Sequence, residues 1–328
     1  MDSPAIEARA LTKIYRTYKK TPGFAGAIKD LFTRQYTETR AADSVTFTIA
    51  PGEIVGFLGP NGAGKTTTLK MLAGLLHPTS GTATVLGHIP WRRSNDFKRR
   101  FSLVMGQKNQ LWWDLPAAES LELNRVIYGI PREQARRTIS ALADILGVSA
   151  KLSVMVRELS LGERMKFELI AALLHQPSVL LLDEPTIGLD VVSQRTVREF
   201  LHHYRRTHPV TILLTSHYMQ DVRELCRRVI IIDGGRLRYD GSLQGIIDRF
   251  SSEKIIALTV PDDSARRAFL SAHPAAHCDG ACIRLRVPRA SAADLSRQFL
   301  QQLPLTDISI EDLPIEDAIR ALFKENTT

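Results

Sequence analysis

Gly59-Pro60-Asn61-Gly62-Ala63-Gly64-Lys65-Thr66 is the stretch on which the reading of this chain turns. It fits the pattern GxxxxGK[ST], follows the strand-like run Ile54 to Leu58, and precedes Thr67 to Gly74, which reads as helix. That is the context in which the pattern holds phosphate. The glycines let the backbone close tightly, so consecutive N–H groups and a helix N-terminus face phosphate oxygens. Lys65 supplies a point charge for the β- and γ-phosphates of a nucleotide, and the Thr66 hydroxyl suits Mg2+.

The other half of such a site stands further along, in Val179-Leu180-Leu181-Leu182-Asp183-Glu184-Pro185-Thr186. Side chains alternate along a strand, so two adjacent carboxylates at its end have separate tasks. Asp183 is placed to hold the metal and Glu184 to polarise a water that attacks the γ-phosphate. Around these motifs the apolar runs Val45 to Ile49, Ile54 to Leu58, Val179 to Leu182, Thr211 to Leu214 and Val229 to Ile232 alternate with longer segments of helical period. This predicts an α/β fold with a largely parallel sheet covered by helices.

The bulk composition bounds the rest. A length of 328 residues exceeds what one core usually organises, so one large domain and a smaller one are expected. No run approaches the roughly 18 apolar residues a membrane span needs. The start, Met1-Asp2-Ser3-Pro4-Ala5-Ile6-Glu7, lacks the basic and apolar regions of a secretory signal, and Cys226, Cys278 and Cys282 are too few and too odd for a disulfide framework. Both point to the cytoplasm. The net charge of +8 is spread along the chain without a basic tail, and no nucleic-acid partner is expected from it.

Several further motifs, in this order over roughly residues 6 to 245, resemble those of the ABC transporter ATPases. The resemblance implies a P-loop NTPase fold of ABC type with a helical subdomain at about 108–165, ATP and Mg2+ as cofactors, and a site shared between two copies. Gln107 matches the family's Q-loop glutamine, which reaches the metal and the attacking water. His217, in Thr215-Ser216-His217, matches the switch histidine at the γ-phosphate. Gly188-Leu189-Asp190 matches the D-loop, which crosses to the partner's site. Tyr15 resembles the aromatic platform for adenine, with Tyr18 as competitor.

The family signature Leu-Ser-Gly-Gly-Gln reads here Leu159-Ser160-Leu161-Gly162-Glu163. Ser160 and the Gly162 N–H keep the groups that, in the family, bind the γ-phosphate held by the opposite subunit. Leu161 loses glycine's freedom and Glu163 adds negative charge to the first helical turn, which puts cross-dimer affinity in question. The family mechanism implies a homodimer with two ATP molecules sandwiched head to tail. Its interface opens after hydrolysis and drives an integral-membrane permease.

Three regions bear on the partner. Between Tyr15 and Val45 lies an insertion, about 17–40, in which Phe24, Ile28, Leu31, Phe32 and Tyr36 form the stripe of an amphipathic helix. It is expected either against a permease or the membrane surface, or over the domain's own sheet. Leu111-Trp112-Trp113-Asp114-Leu115-Pro116 follows the Q-loop, where the family touches its permease, although packing within the subdomain would use the same residues. Helices are expected at Glu119 to Gly129 and Arg132 to Leu146.

Beyond an ATPase domain of 1–250, residues 251–328 read as strand, helix, strand, strand, helix, strand. A hairpin falls at Asp279-Gly280 and a closing helix runs from Pro314 to Phe323, giving a small α+β, ferredoxin-like accessory module. His273, His277, Cys278 and Cys282 do not complete a zinc set there. The whole most resembles ATP-binding subunits of ABC-2-like exporters with a separately encoded permease, peripheral at the cytoplasmic face of the inner membrane. The alternative is a soluble ATPase of the same superfamily acting in translation or DNA repair. The single phosphate loop and the lack of a heptad run disfavour it.

Overall fold

The computed structural model describes residues 3–18, 36–106, 109–250, 253–312, 314 and 317–319. The chain divides into two compact units, Met1–Asp240 and Gly241–Thr328. The break therefore falls at Asp240 rather than at residue 250, and the helix Leu243–Phe250 belongs to the second unit.

The first unit contains β1 (Ile6–Tyr18), β2 (Tyr36–Ile49), β3 (Ile54–Leu58), β4 (Ser80–Val85), β5 (Phe101–Met105), β6 (Val179–Asp183), β7 (Thr211–Thr215), β8 (Arg228–Asp233) and β9, Arg236–Ser242, whose end runs past the break. One sheet has the order β5-β6-β7-β3-β8-β9, and its pairs from β5 to β8 are parallel. Every residue of β3, β6 and β7 is buried. A central parallel strand covered on both faces reads as such a continuous apolar run.

The expectation that Val45 to Ile49 joins this sheet needs correction. It lies in a separate antiparallel sheet of order β2-β1-β4. Val45, Phe47 and Ile49 are buried while Thr46 and Thr48 are exposed. That period of two marks a strand covered on one face only. The core between takes side chains from both sheets and from the helix Lys65–Leu72, with the Phe47 and Phe57 rings 5.7 Å apart.

The insertion is also different at its ends. β1 and β2 form a long ladder that continues from Lys13↔Ala42 to Tyr18↔Tyr36. Tyr36, assigned above to a helical stripe, is therefore in a strand. Alternating aromatic and β-branched residues, Tyr15 opposite Thr39 and Thr17 opposite Thr37, favour strand pairing, and Arg16 meets Glu38 directly across the ladder at 2.8 Å. Phe24, Ile28, Leu31 and Phe32 lie outside the described residues, as does Gln107.

The helices Ala117–Tyr128, Arg132–Leu146 and Leu161–Leu173 pack on one another within the first unit. In the second unit β10 (Glu253–Thr259), β11 (His277–Asp279), β12 (Cys282–Pro288) and β13 (Asp307–Asp312) form a sheet of order β11-β12-β10-β13, with every pair antiparallel. The helices Asp263–Ala272 and Ala292–Gln302 fall between strands so that the chain runs βαββαβ. They bring Phe269 and Phe299 edge to face over Ile256, Leu258, Ile283 and Leu285. Most of Pro314 to Phe323 lies outside the described residues. No described helix is long and apolar enough to cross a membrane.

Candidate functional site

The phosphate loop sits between the buried end of β3 and the helix Lys65–Leu72, pressed against the β1–β2 sheet. Gly64 has φ +100, and a Cβ there would lie 1.9 Å from the Ala41 carbonyl oxygen. Only glycine permits both the backbone conformation and this approach. Ala63 N donates to Pro60 O at 3.1 Å and Thr68 N to Gly64 O at 2.9 Å, closing the loop into the first helical turn. Asn61 and Gly62 stand exposed at its crest, Gly59 and Thr67 are half-buried, and Ala63 is buried.

Lys65 is buried and folds back on its own loop, donating to Gly59 O at 2.7 Å and Pro60 O at 3.1 Å. Burial pulls its ammonium below the ordinary lysine range, against the stabilising charges of Glu184 and Asp183.

The strand β6 delivers its two carboxylates to this loop. Asp183 Oδ2 accepts from the Thr66 hydroxyl at 2.9 Å, and Oδ1 accepts from the Thr215 hydroxyl at 2.8 Å. A hydroxyl and a carboxylate in contact are the hard oxygen donors Mg2+ prefers, so the residues present fit that ion. Glu184 has φ +56, a region that costs a residue with a Cβ about 1–3 kcal/mol. Its N–H donates to Thr215 Oγ1 at 3.0 Å and to Thr215 O at 3.1 Å, which holds it in that conformation. Its carboxylate meets His217 Nε2 at 2.7 Å.

Gly106, whose N–H donates to Asp183 O at 2.8 Å, is so close that a Cβ would lie 2.3 Å from Glu184 O. Gly106 thus packs against the backbone carbonyls of the two acidic residues. The contacts join the phosphate loop, Asp183, Glu184 and His217 into one cluster. Tyr15 lies on β1, half-exposed, with the Lys13 ammonium 5.6 Å from its ring centre.

Ser160, Gly162 and Asp190 form a second cluster. Ser160 caps the helix Leu161–Leu173: Glu163 N donates to its hydroxyl at 3.2 Å, and its own N–H donates to Glu163 Oε2 at 2.9 Å. The departure at Glu163 is therefore a capping box. Its charge is answered by Lys151 Nζ at 3.3 Å, and the Ser160 N–H holds the carboxyl below the usual glutamate range. Asp190 caps the helix Val191–Thr207, accepting from Ser193 N at 2.9 Å and Ser193 Oγ at 2.6 Å; these bonds lower its pKa. Gly162 lies against that cap, where a Cβ would be 2.4 Å from Ser193 Oγ.

Residues that the motifs did not single out complete the arrangement. Thr215 ties the Asp183 carboxylate to the backbone N–H of Glu184. Asp221, fully buried, gathers Thr186, Ser216 and Arg198. Glu168, on the helix that Ser160 caps, accepts from Gln110 N at 2.8 Å and Leu111 N at 3.2 Å. One turn nearer Ser160, Arg164 lies over the Trp113 ring at 5.1 Å. A cleft of about 620 Å3 opens next to this segment, lined by Leu75, Phe97, Phe101, Leu103, Ile127 and Tyr128 among others. Arg93, Lys98 and Arg99 also face it.

A family model described as ABC transporter matches residues 42–187. The ABC transporter ATP-binding protein NatA of Bacillus subtilis is 37% identical over 216 residues, which is 66% of this chain and 87% of that protein. The Nod factor export ATP-binding protein I of Burkholderia orbicola is 35% identical over 239 residues, covering 73% of this chain and 78% of its own. Of the longer Escherichia coli relative YbhF, a probable multidrug ABC transporter ATP-binding protein, the chain spans 44% at 34% identity. Among solved structures, an ATP-binding subunit of an ABC transporter superposes with a TM-score of 0.62 at 25% identity, over 75% of this chain and 93% of that one.

Proposed function

Because the chain belongs to the family of ABC transporter ATP-binding subunits, we propose that two copies of it hydrolyse ATP between them. The resulting motion would drive export through a separately encoded membrane permease. The observation that carries this reading is the Glu184–His217 pair, held at the end of β6 beside the Thr66–Asp183 contact.

The nucleotide's phosphates occupy the concave face of Gly59 to Thr67, and Lys65 exchanges the Gly59 and Pro60 carbonyls for β- and γ-phosphate oxygens. Tyr15 stacks on the adenine. Thr66 and Asp183, with Gln107, would hold Mg2+, which when bound supplies positive charge that neutralises the β- and γ-oxygens. Glu184 accepts a proton from the attacking water. His217 orients that carboxylate and contacts the γ-phosphate, so their pairing is the resting form of the catalytic pair. The capping role of Ser160 uses a lone pair of its hydroxyl, which leaves the O–H free to donate to a γ-phosphate on the opposite copy. The Gly162 N–H, at the positive end of the same helix, faces the same oxygen. Asp190 joins the interface from the D-loop.

The permease reading rests on the cleft beside Gln110 and on exposed apolar residues around it. Trp112 is 57% exposed, Trp113 47% and Ile127 71%. Large apolar side chains exposed at a surface mark a contact site, and the two tryptophans follow Gln107 closely in sequence. Such a partner places the subunit peripherally at the cytoplasmic face of the inner membrane.

The test is Glu184→Gln in the full chain. ATP binding should persist, turnover should fall by about a hundredfold or more, and an ATP-dependent dimer should accumulate on size exclusion. A variant that hydrolyses ATP at the wild-type rate would remove the proposed base.

A further inference from the structure

Three segments that the proposed cycle uses meet at one buried carboxylate outside the motifs. Asp221 lies in the helix Met219–Leu225, and its side chain is 1% exposed. Its Oδ2 accepts from the Thr186 hydroxyl and, at 2.7 Å, from the Ser216 hydroxyl. Its Oδ1 accepts from Arg198 Nη1 at 3.1 Å, and Arg198 Nε donates to Glu224 Oε2 at 2.9 Å. Thr186 is two residues beyond Glu184, Ser216 immediately precedes His217, and Arg198 is on the helix that Asp190 caps. The Ser216 hydroxyl also accepts from Tyr218 N at 3.0 Å, which closes the turn around His217.

We propose that Asp221 is a positioning residue for hydrolysis: through Thr186 and Ser216 it holds the loops carrying Glu184 and His217 in register, with Arg198 as its counter-ion. This rests on the reading of Glu184 and His217 given above. The physical reason is the backbone of Glu184, whose left-handed conformation persists only where its surroundings over-determine it. Thr215 grips that residue from the N–H side, and Asp221 grips the chain two residues later. The same carboxylate oxygen grips the residue before His217. One buried anion thus sets the separation of the two loops, and a charge-assisted bond to each hydroxyl makes the link directional. Among the described residues nothing in the network bonds to the phosphate loop, so the nucleotide's contacts with that loop do not depend on it.

The test compares Thr186→Val, which keeps the shape and removes the hydroxyl, with Thr186→Ser, which keeps the hydroxyl. Ser216→Ala is the second variant. Both leave the Asp221–Arg198 pair intact. ATPase rates in the full chain are expressed per ATP-binding site, so misfolded molecules drop out of the comparison. Thr186→Val and Ser216→Ala should each lower kcat by about tenfold or more with KM for ATP within about twofold, and Thr186→Ser should restore kcat to within about threefold of wild type. An unchanged kcat in Thr186→Val or Ser216→Ala overturns the proposal, as does an equal loss in Thr186→Ser. Wild type and Glu184→Gln run alongside: turnover that does not depend on Glu184 removes the reading of the site itself. Glu184-dependent turnover with indifferent hydroxyl variants removes only the role of Asp221.

Discussion

Glu168 offers a perturbation whose size can be worked out in advance. Its side chain is buried within the helix Leu161–Leu173, and burial raises its pKa from 4.5 to about 7 despite the N–H groups of Leu111 and Gln110 and the charge of Arg164. The folded state therefore binds this proton more tightly than the unfolded chain does. Between pH 4.5 and about 7 the native form carries more bound protons, so its stability falls as pH rises through that window and levels off above it. At about 1.4 kcal/mol per pH unit, the full effect is about 3 kcal/mol, of which about 2.5 falls between pH 5 and pH 8.

Glu168→Gln keeps an acceptor for the two N–H groups and abolishes the titration. All three tryptophans, Trp91, Trp112 and Trp113, lie in the first unit, so urea unfolding followed by their fluorescence reports on that unit. The difference in unfolding free energy between variant and wild type should shift by about 2.5 kcal/mol in favour of the variant from pH 5 to pH 8. Other titrating groups are common to both proteins and cancel. Parallel pH profiles for the two would refute the argument that burial dominates at this carboxylate.

Two further substitutions test local geometry. Gly64→Ala would place a Cβ against the Ala41 carbonyl at a backbone φ of +100; it should cost about 3 kcal/mol, lower the melting temperature by about 6 to 12 °C, and abolish ATP binding measured by fluorescent-nucleotide titration. Ser160→Ala removes the cap of its helix and should cost about 1 kcal/mol. It should also weaken the ATP-dependent dimer on size exclusion while ATP affinity of the monomer holds.

The parts of the site legible in the sequence are those where phosphate chemistry demands a residue type at a set spacing. Gly64, Lys65, Thr66, Asp183 and Glu184 belong to this class, His217 is legible through the family resemblance, and the contacts bring them together. The alternation of buried strands and helices was equally plain, because parallel strands covered on both faces are continuously apolar. Val45 to Ile49 resembles the other strand-like runs in apolar content, but Val-Thr-Phe-Thr-Ile alternates and β6 does not, and that period assigns it to the sheet covered on one face. Tyr36 falls on a stripe of helical spacing, but such a stripe can end inside a strand, and cross-strand partners decide which period wins.

Asp221 and Thr215 gave no signal, since their importance arises from loops that meet only in three dimensions. Glu168 did leave one: a lone carboxylate in the run Phe167-Glu168-Leu169-Ile170-Ala171-Ala172-Leu173 is a charge where a buried helix should have none. Glu163 was legible as a departure, but its meaning required the cap to be seen.

The left-handed backbone at position 184 sets folding and chemistry against each other. Glycine or asparagine would sit there with less strain, and a chain selected only to resist heat would drift toward one of them. Neither carries the carboxylate that water needs. Thermostable variants of this subunit should therefore be sought elsewhere in the scaffold, because relaxation at this one residue would yield a sturdier protein without the carboxylate we propose as base.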